Sequence, residues 1–337
     1  MSTQKNKKHW GTIIIGGGQA GLATGFHLKQ LHEDFLIIDA SERVGDSWRK
    51  RWDSLLLNSP SQYDGLPGWP YPAKNGIFPT KNEMADYIEG YAKKFQLPVR
   101  MGVKVTRLTP IDYGYRITTS DGIFTCNQVV VATGSYQIPY IPSLARELDT
   151  RIFQVHSSQY LNPSLLPDGD VLVVGAGSSG VQIAIELSKS RRTLLAGKPT
   201  FHIPEFAFRL GNFYWWFISN VITIKTPLGR KAKKAIRKGG APLINVSVDD
   251  IDAAGIERLP RVVGVTDGQP KLEDGRVVPV SAIIWSTGLK PDYSWIDMKI
   301  LDTTGWPEAY RGISLQYKGL YFVGLKFQYG LTSNLIG

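Results

Sequence analysis

Thr12-Ile13-Ile14-Ile15-Gly16-Gly17-Gly18-Gln19-Ala20-Gly21 is the stretch that decides the fold of this chain. An apolar run ends in a G-x-G-x-x-G turn, and a helix-forming segment follows. In such a turn the first glycine makes the bend and the second admits a pyrophosphate to the backbone. The third lets helix pack on strand. The same arrangement returns at Val171-Leu172-Val173-Val174, followed by Gly175-Ala176-Gly177-Ser178-Ser179-Gly180. One turn of this kind is a weak signal. Two, each between an apolar run and a helix pattern, point to two dinucleotides on one protein.

A second motif is duplicated at nearly the same offset. Val129-Val130-Val131-Ala132-Thr133-Gly134 and Ile283-Ile284-Trp285-Ser286-Thr287-Gly288 are buried-strand runs that end in Thr-Gly. A hairpin-rich segment precedes each: Val103 to Thr125 with Asp121-Gly122, and Val262 to Val280 with Asp274-Gly275. The expected fold is α/β, with two Rossmann-like dinucleotide-binding domains of the two-dinucleotide-binding flavoprotein type, the second inserted in the first. Residues 1–160 and 281–337 are assigned to a discontinuous FAD-binding domain, and residues 161–280 to the NAD(P)-binding domain.

The strand ends assign the dinucleotides. Phe35-Leu36-Ile37-Ile38 ends in Asp39, an acid that hydrogen-bonds ribose hydroxyls and repels a 2′-phosphate. A dinucleotide without that phosphate, FAD or NAD, therefore belongs to the first turn, and FAD is the one expected. The matching strand Thr193-Leu194-Leu195-Ala196 leads to Gly197-Lys198, with Arg191 and Arg192 before it. Cations there suit NADPH, with NADH as the alternative because lysine is a point charge rather than a fork. The cofactor contacts expected of the turns and strand ends are Gly16, Gly18, Gln19, Ala20, Gly21, Asp39, Thr133, Gly134, Gly175, Gly177, Ser178, Ser179, Gly180, Lys198, Thr287 and Gly288.

Composition bounds the rest. The 337 residues are 42% hydrophobic and 20% charged, as in an ordinary globular protein. The single cysteine, Cys126, excludes an intramolecular disulfide and any redox cysteine pair, so a disulfide reductase relaying electrons through two cysteines is set aside. Few cysteines and no span of roughly 18 apolar residues lead to an expected cytoplasmic location. The net charge of +10 gathers at Lys225, Arg230, Lys231, Lys233, Lys234, Arg237 and Lys238, beside the Trp-rich run Leu210 to Ile224. Two readings stand for that stretch: a solvated helix face next to a lid or homodimer contact, or a peripheral membrane contact. Nucleic acid is not expected, since no binding motif accompanies the charge. No histidine spacing suggests a metal site.

Several stretches together resemble the flavin-containing monooxygenases, specifically their small bacterial class B relatives. Ser41-Glu42-Arg43-Val44-Gly45-Asp46-Ser47-Trp48 is similar to that family's E-x-x-G-G-x-W segment, with Asp46 at the second glycine. Leu57-Asn58-Ser59-Pro60, Leu66-Pro67-Gly68-Trp69-Pro70 and Phe78-Pro79 resemble its N-x-P and L-P-x-x-P-x-P run. Ser286-Thr287-Gly288-Leu289-Lys290-Pro291-Asp292 resembles A-T-G-Y-x-P-D, and Gly319 to Gly324 resembles the strand near the flavin's far end. The family's F-x-G-x-x-x-H-x-x-x-F/W/Y sequence is present in its second half, as His156 and Tyr160. Thr150 and Ile152 stand at its aromatic and glycine positions.

The resemblance implies further cofactor contacts at Ala40, Arg43, Trp48, Asn58, Val105, His156 and Gly324. Asn58 is implied as the catalytic amide beside the flavin, where it hydrogen-bonds an oxygen adduct without offering a titratable proton. His156 has a second reading as an interdomain structural histidine. Relatives continue past Leu335-Ile336-Gly337 into a helix facing the flavin, so a less enclosed flavin site is expected here.

Three functions follow from the resemblance. The first is an NAD(P)H-dependent FAD monooxygenase that forms a C(4a)-hydroperoxide from dioxygen. It oxygenates a small S- or N-nucleophile in a pocket roofed by Trp69, Tyr71 and Trp215-Trp216. The second is an NAD(P)H oxidase or reductase that releases hydrogen peroxide or reduces a quinone-like acceptor. The third is a flavin-dependent accessory protein of a membrane cation-transport system.

Overall fold

The computed structural model describes residues 7–200, 211–238 and 242–333, without the side chains of Asn212 and Lys238. Leu210, Leu335, Ile336 and Gly337, singled out above, lie outside the described residues.

The first unit starts with β1 (His9–Ile15), α1 (Gln19–Gln30) and β2 (Phe35–Ile38). The short α2 (Asp46–Arg49) follows, then α3 (Lys81–Lys94) and β3 (Val99–Arg100). Thr80 starts α3 with a full capping box, its side chain accepting from the Glu83 amide while Glu83 reaches back to the Thr80 amide. A meander of β4 (Val105–Ile111), β5 (Gly114–Thr119) and β6 (Gly122–Val131) then returns to the sheet. The parallel core runs β3-β2-β1-β6 and takes β18 (Leu320–Phe322) on its far side. Along β1, Ile14 faces the helices α1 and α3 with Ile37 and Val130. Ile13 and Ile15 face the meander with Leu36, Ile38, Val129 and Val131. Both faces are covered, which is why these strands read as unbroken apolar runs rather than alternating ones.

The linking ribbon pairs β7 (Ile138–Pro139) with β15 (Leu289–Lys290), antiparallel. Between them lies the second sheet, entirely parallel, in which β8 (Phe153–His156) is the outer strand beside β14 (Ala282–Trp285). The order continues through β9 (Val171–Val174) and β10 (Thr193–Ala196) to β11 (Glu257–Leu259). α4 (Ser178–Ser188) follows the second glycine turn. The second unit is thus inserted in the first, as expected. The strands Phe153–His156 and Ala282–Trp285 were expected in the first domain, outside the 161–280 segment. Both are hydrogen-bonded into the second sheet, so the crossings lie at the ribbon instead.

The second hairpin also differs in detail. β12 (Val262–Thr266) and β13 (Gln269–Leu272) are joined at Asp267-Gly268, where both residues have positive φ. The expected turn at Asp274-Gly275 is a further one, which brings Val277 back beside Lys271. The short strands β16 (Ala309–Tyr310) and β17 (Ile313–Ser314) complete the first sheet beside β18. The helix-bearing faces of both sheets belong to one continuous apolar cluster, from Ile14 and Tyr91 to Val173 and Ile284. That shared core holds the two glycine turns in a fixed relation.

Candidate active site

The two glycine turns are built alike. Gly16 and Gly175 both have positive φ, +113° and +109°, and a Cβ on either would strike the backbone of the Thr-Gly strand end opposite. At Gly21 a Cβ would lie 1.9 Å from the Gly16 carbonyl oxygen, and at Gly180 it would lie 1.8 Å from that of Gly175. The middle glycines behave differently. A Cβ on Gly18 or Gly177 meets nothing within 4 Å. The protein itself has no need of glycine there, and the open space lies at the amino end of a helix, where backbone N–H groups favour a phosphate. Each turn therefore fits a dinucleotide. Gln19 and Ala20 open α1, Ser178 and Ser179 open α4, and Gly324 packs against Ala20 from the end of β18.

Asp39 stands at the end of β2. Its carboxylate accepts the amides of Gly17 at 2.6 Å and Ser41 at 2.7 Å, which fixes it beside the first turn. Ala40 is exposed next to it, and Val105 starts β4, half-buried. Arg43 points elsewhere, to an ion pair with Glu89 of α3 at 2.6 Å. Trp48 packs half-buried on the helix-side cluster. In the second unit Lys198 is exposed after β10 and makes no ion pair among the described residues. The flanking arginines do not join it. Arg191 donates to the Pro163 and Pro167 carbonyls, and Arg192 pairs with Asp170 and Glu257. Both precede β10, whose length separates them from Lys198.

The loop after α2 holds buried polar atoms without partners among the described residues. Asn58 is half-buried, and its Oδ1 is sealed from solvent without a hydrogen-bond donor among the described residues. Thr133 Oγ1, at the end of β6, is in the same condition. Such oxygens are costly unless something supplies the missing donor, as a bound cofactor can. Next to Asn58, the Ser59 hydroxyl donates to Asp64 at 2.5 Å. Asp64 is fully buried, its other carboxyl oxygen has no partner, and burial lifts its pKa to about 7. Sequence reasoning missed this residue; an acid in the polar run Asn58 to Gly65 reads as an ordinary solvated turn residue.

Aromatic rings cover the loop. Trp69 and Tyr71 both lean on Tyr87 of α3, at 5.0 and 4.8 Å between ring centroids. The segment inserted after β10 supplies the other side. Its helix Asn212–Asn220 lays Trp215 on Tyr63 at 4.6 Å. Trp216, expected in the same roof, points outward at 55% exposure and stacks on Phe213 instead, because adjacent helical residues diverge by about 100°. The segment is also stitched to the first unit by Ile224 donating to Tyr329 and Leu331 to Ile222. The helix Pro227–Lys238 turns Arg237 onto the Lys326 carbonyl and Trp306. Of the basic cluster, Lys225, Arg230, Lys231 and Lys234 are exposed, while Lys233 is half-buried and burial lowers its pKa.

His156 lies buried at the crossing. Its Nδ1 accepts from the Ser158 amide, and Nε2 donates to the Gly288 carbonyl at 3.0 Å. Burial holds its pKa below the usual histidine value, against the pull of that carbonyl. With both nitrogens committed, the ring joins β8 to the ribbon, which favours its structural reading. The Gly288 carbonyl also receives the Tyr140 amide, and Thr287 donates to the Tyr140 carbonyl. Gly134 has φ +71° and open space around it.

Residues 13–198 match the family described as pyridine nucleotide-disulphide oxidoreductase. The chain belongs to this family. An uncharacterized oxidoreductase CzcO-like from Geobacillus kaustophilus is 39% identical over 96% of this chain and 93% of its own length. The probable indole-3-pyruvate monooxygenase YUCCA9 of Arabidopsis thaliana is 25% identical over 93% and 84%. Among solved structures, a double mutant of the flavin monooxygenase from Stenotrophomonas maltophilia superposes with a TM-score of 0.81. It is 25% identical and covers 98% of this chain and 95% of its own.

The protein is thus a flavoprotein oxidoreductase of the pyridine nucleotide-disulphide family. Disulfide chemistry in that name does not extend to its one cysteine. Cys126 is buried in β6, and burial pushes its thiol up to about 12, far from the thiolate that exchange requires. Among the described residues no helix is long and apolar enough to cross a membrane.

Proposed function

We propose that this protein is an NADPH-dependent FAD monooxygenase acting on a small sulfur or nitrogen nucleophile. The observation that carries the reading is Asn58, whose buried Oδ1 waits for a donor in a loop roofed by Trp69, Tyr71 and Trp215. FAD, when bound, supplies hydride acceptance and dioxygen activation. The chain's residues do the rest. The open turn at Gly18, with Asp39 and Thr133 beside it, holds the flavin dinucleotide. The open turn at Gly177, with Lys198 on the exposed edge, holds the nicotinamide one. Asn58 offers a hydrogen bond without a mobile proton, and the aromatic roof excludes water, which would otherwise divert reduced oxygen to peroxide. The monooxygenase names of the Arabidopsis and Stenotrophomonas proteins support the same reading.

The test is a stopped-flow experiment. The holoprotein is reduced with NADPH and mixed with dioxygen while absorbance is followed. A long-lived species absorbing to the blue of oxidised flavin is expected. Immediate return of oxidised flavin with stoichiometric peroxide assigns an oxidase instead.

A specific observation supports a second property, peripheral contact with an anionic lipid surface. Phe213 and Trp216 are 62% and 55% exposed, and Arg230, Lys231 and Lys234 lie exposed on the next helix. Co-sedimentation with phosphatidylserine vesicles, lost when Lys231 and Lys234 become glutamate, is the expected result. Binding that survives the exchange removes the electrostatic contact.

A further inference from the structure

Arg51 is a cation the proposed reaction leaves unused. It follows α2 and borders an open crevice of about 190 Å³, together with Ser47, Lys50, Gln137 and Ser158, and with Asp46 at one edge. The guanidinium Nε donates to the Ser47 carbonyl at 3.3 Å. Neither Nη has a carboxylate or carbonyl partner among the described residues. Asp46 serves others: it accepts the Arg43 amide and lies 3.7 Å from both Arg49 and Lys50. Burial lowers the Arg51 pKa, opposed only by the Tyr136 phenol on the same crevice, so the charge is partly desolvated without an acidic partner among the described residues.

The position is held firmly. Buried Lys81 donates to the carbonyls of Arg49 and Arg51 and to Asp53. Asp53 in turn donates its amide to Leu161 and accepts from Asn162. Backbone on both sides of Arg51 is therefore tied down, and the side chain is directed at the crossing between the two units. A desolvated cation without a counter-ion costs folding stability. Its place in a pinned loop, facing a crevice that Ser41 and Ser47 also line, calls for a ligand that supplies the missing charge.

We propose that this crevice is an oxyanion site, in which Arg51 takes a carboxylate or phosphate with both Nη groups and Lys50 and Ser47 complete the shell, while the Ser158 hydroxyl stays committed to His156. Paired donors of a guanidinium match either group in a bidentate fork. The crevice is smaller than the roughly 300 Å³ of a drug-sized pocket, so it takes the charged end of a ligand rather than the whole molecule. Two sources offer that end: a phosphate of the nicotinamide dinucleotide, or the carboxylate of an organic-acid substrate. Assigning either source rests on the proposed function; binding of the oxyanion does not.

Isothermal titration and thermal melting of the purified flavoprotein test the site, with inorganic pyrophosphate, pyruvate and NADPH as probes. None of these readouts requires oxygenation, so failure of the stopped-flow test and failure here are separable. Wild-type protein is expected to bind pyrophosphate or pyruvate and to melt higher in its presence. Arg51→Met should lose that binding at least about tenfold while its probe-free midpoint stays equal or rises, because a half-buried charge without an acidic partner has been removed. Arg51→Lys should recover part of the affinity and serves if the methionine variant does not fold. NADPH weakened with pyruvate unaffected assigns the dinucleotide phosphate; the reverse assigns a substrate carboxylate. Absence of pyrophosphate and pyruvate binding in the wild type, or equal binding of every probe by both proteins, overturns the proposal.

Discussion

Asn245 donates its side-chain amide to the carbonyl of Leu57 at 2.7 Å, across the boundary between the inserted unit and the loop that carries Asn58. The segment inserted between β10 and β11 therefore touches the backbone next to the proposed oxygen-chemistry residue. Asn245 has φ +62°, a conformation that asparagine tolerates better than most side chains. Asn245→Asp keeps that tolerance and the size but removes the donor. One hydrogen bond of this kind contributes about 1 kcal/mol. A melting midpoint lower by a few degrees is expected, with a shorter-lived oxygen adduct in stopped flow. An unchanged adduct lifetime would show that the bond only anchors the segment.

The two sorts of glycine in one turn should separate on mutation. Gly18→Ala places a methyl group in open space, at a backbone conformation open to any residue, so the variant should fold like wild type and lose flavin. Gly21→Ala forces a Cβ to within 1.9 Å of a carbonyl oxygen and should fold poorly. Thermal melts and the flavin retained on gel filtration check both. A Gly18→Ala protein that stays fully yellow would contradict the placement of the pyrophosphate.

Asn58→Leu removes a buried oxygen that has no donor among the described residues. Its apo form should be no less stable than wild type, by about 1 kcal/mol in its favour if the loop repacks. Its oxygen adduct should decay faster. Loss of stability together with unchanged adduct lifetime would make Asn58 a turn residue.

Lys198→Glu should weaken NADPH at least about tenfold relative to NADH, by replacing attraction of the 2′-phosphate with repulsion. Arg192→Gln should leave the ratio unchanged, since Arg192 is held by Asp170 and Glu257. The measurement is the ratio of dissociation constants for the two nucleotides. Equal weakening of both by the Lys198 change would place the phosphate elsewhere.

Asp64 predicts a pH signature. Its folded pKa is about 7, raised by burial from an ordinary value of 3.8. The folded state therefore binds a proton that the unfolded chain releases above about pH 4. The neutral carboxyl's contribution is present in full below that pH and is lost as pH rises to about 7. At about 1.4 kcal/mol per pH unit, the loss is at most a few kcal/mol. Asp64→Asn, which keeps an acceptor for Ser59, should flatten that part of the melting-temperature profile. A slope that persists in the variant belongs to another group.

Much of the molecule was legible in the order of its residues. The parallel strands at Ile13 to Ile15, Val129 to Val131 and Ile283 to Trp285 announce themselves, because strands covered on both faces need apolar residues at every position. The glycine turns are equally local. The domain crossings were misplaced, since the short strand Phe153–His156 has no pattern to say which sheet it joins. At Arg191, Arg192 and Arg43, charge type was read correctly and its use was not. Their partners Asp170, Glu257 and Glu89 lie far along the chain.

By itself, then, the sequence determined the two glycine turns, the inserted order of the sheets and the placing of Asp39 and Lys198 at the strand ends beside those turns. These depend on steric rules acting over a few residues, above all the positive φ of Gly16 and Gly175. Only the tertiary structure decided that Trp215 faces Tyr63 while Trp216 faces outward, that Asp64 is sealed against Ser59, and that Arg51 meets no carboxylate among the described residues. Burial and charge pairing are set by distances through space between segments the chain order keeps apart. Those distances exist only once both sheets share their core.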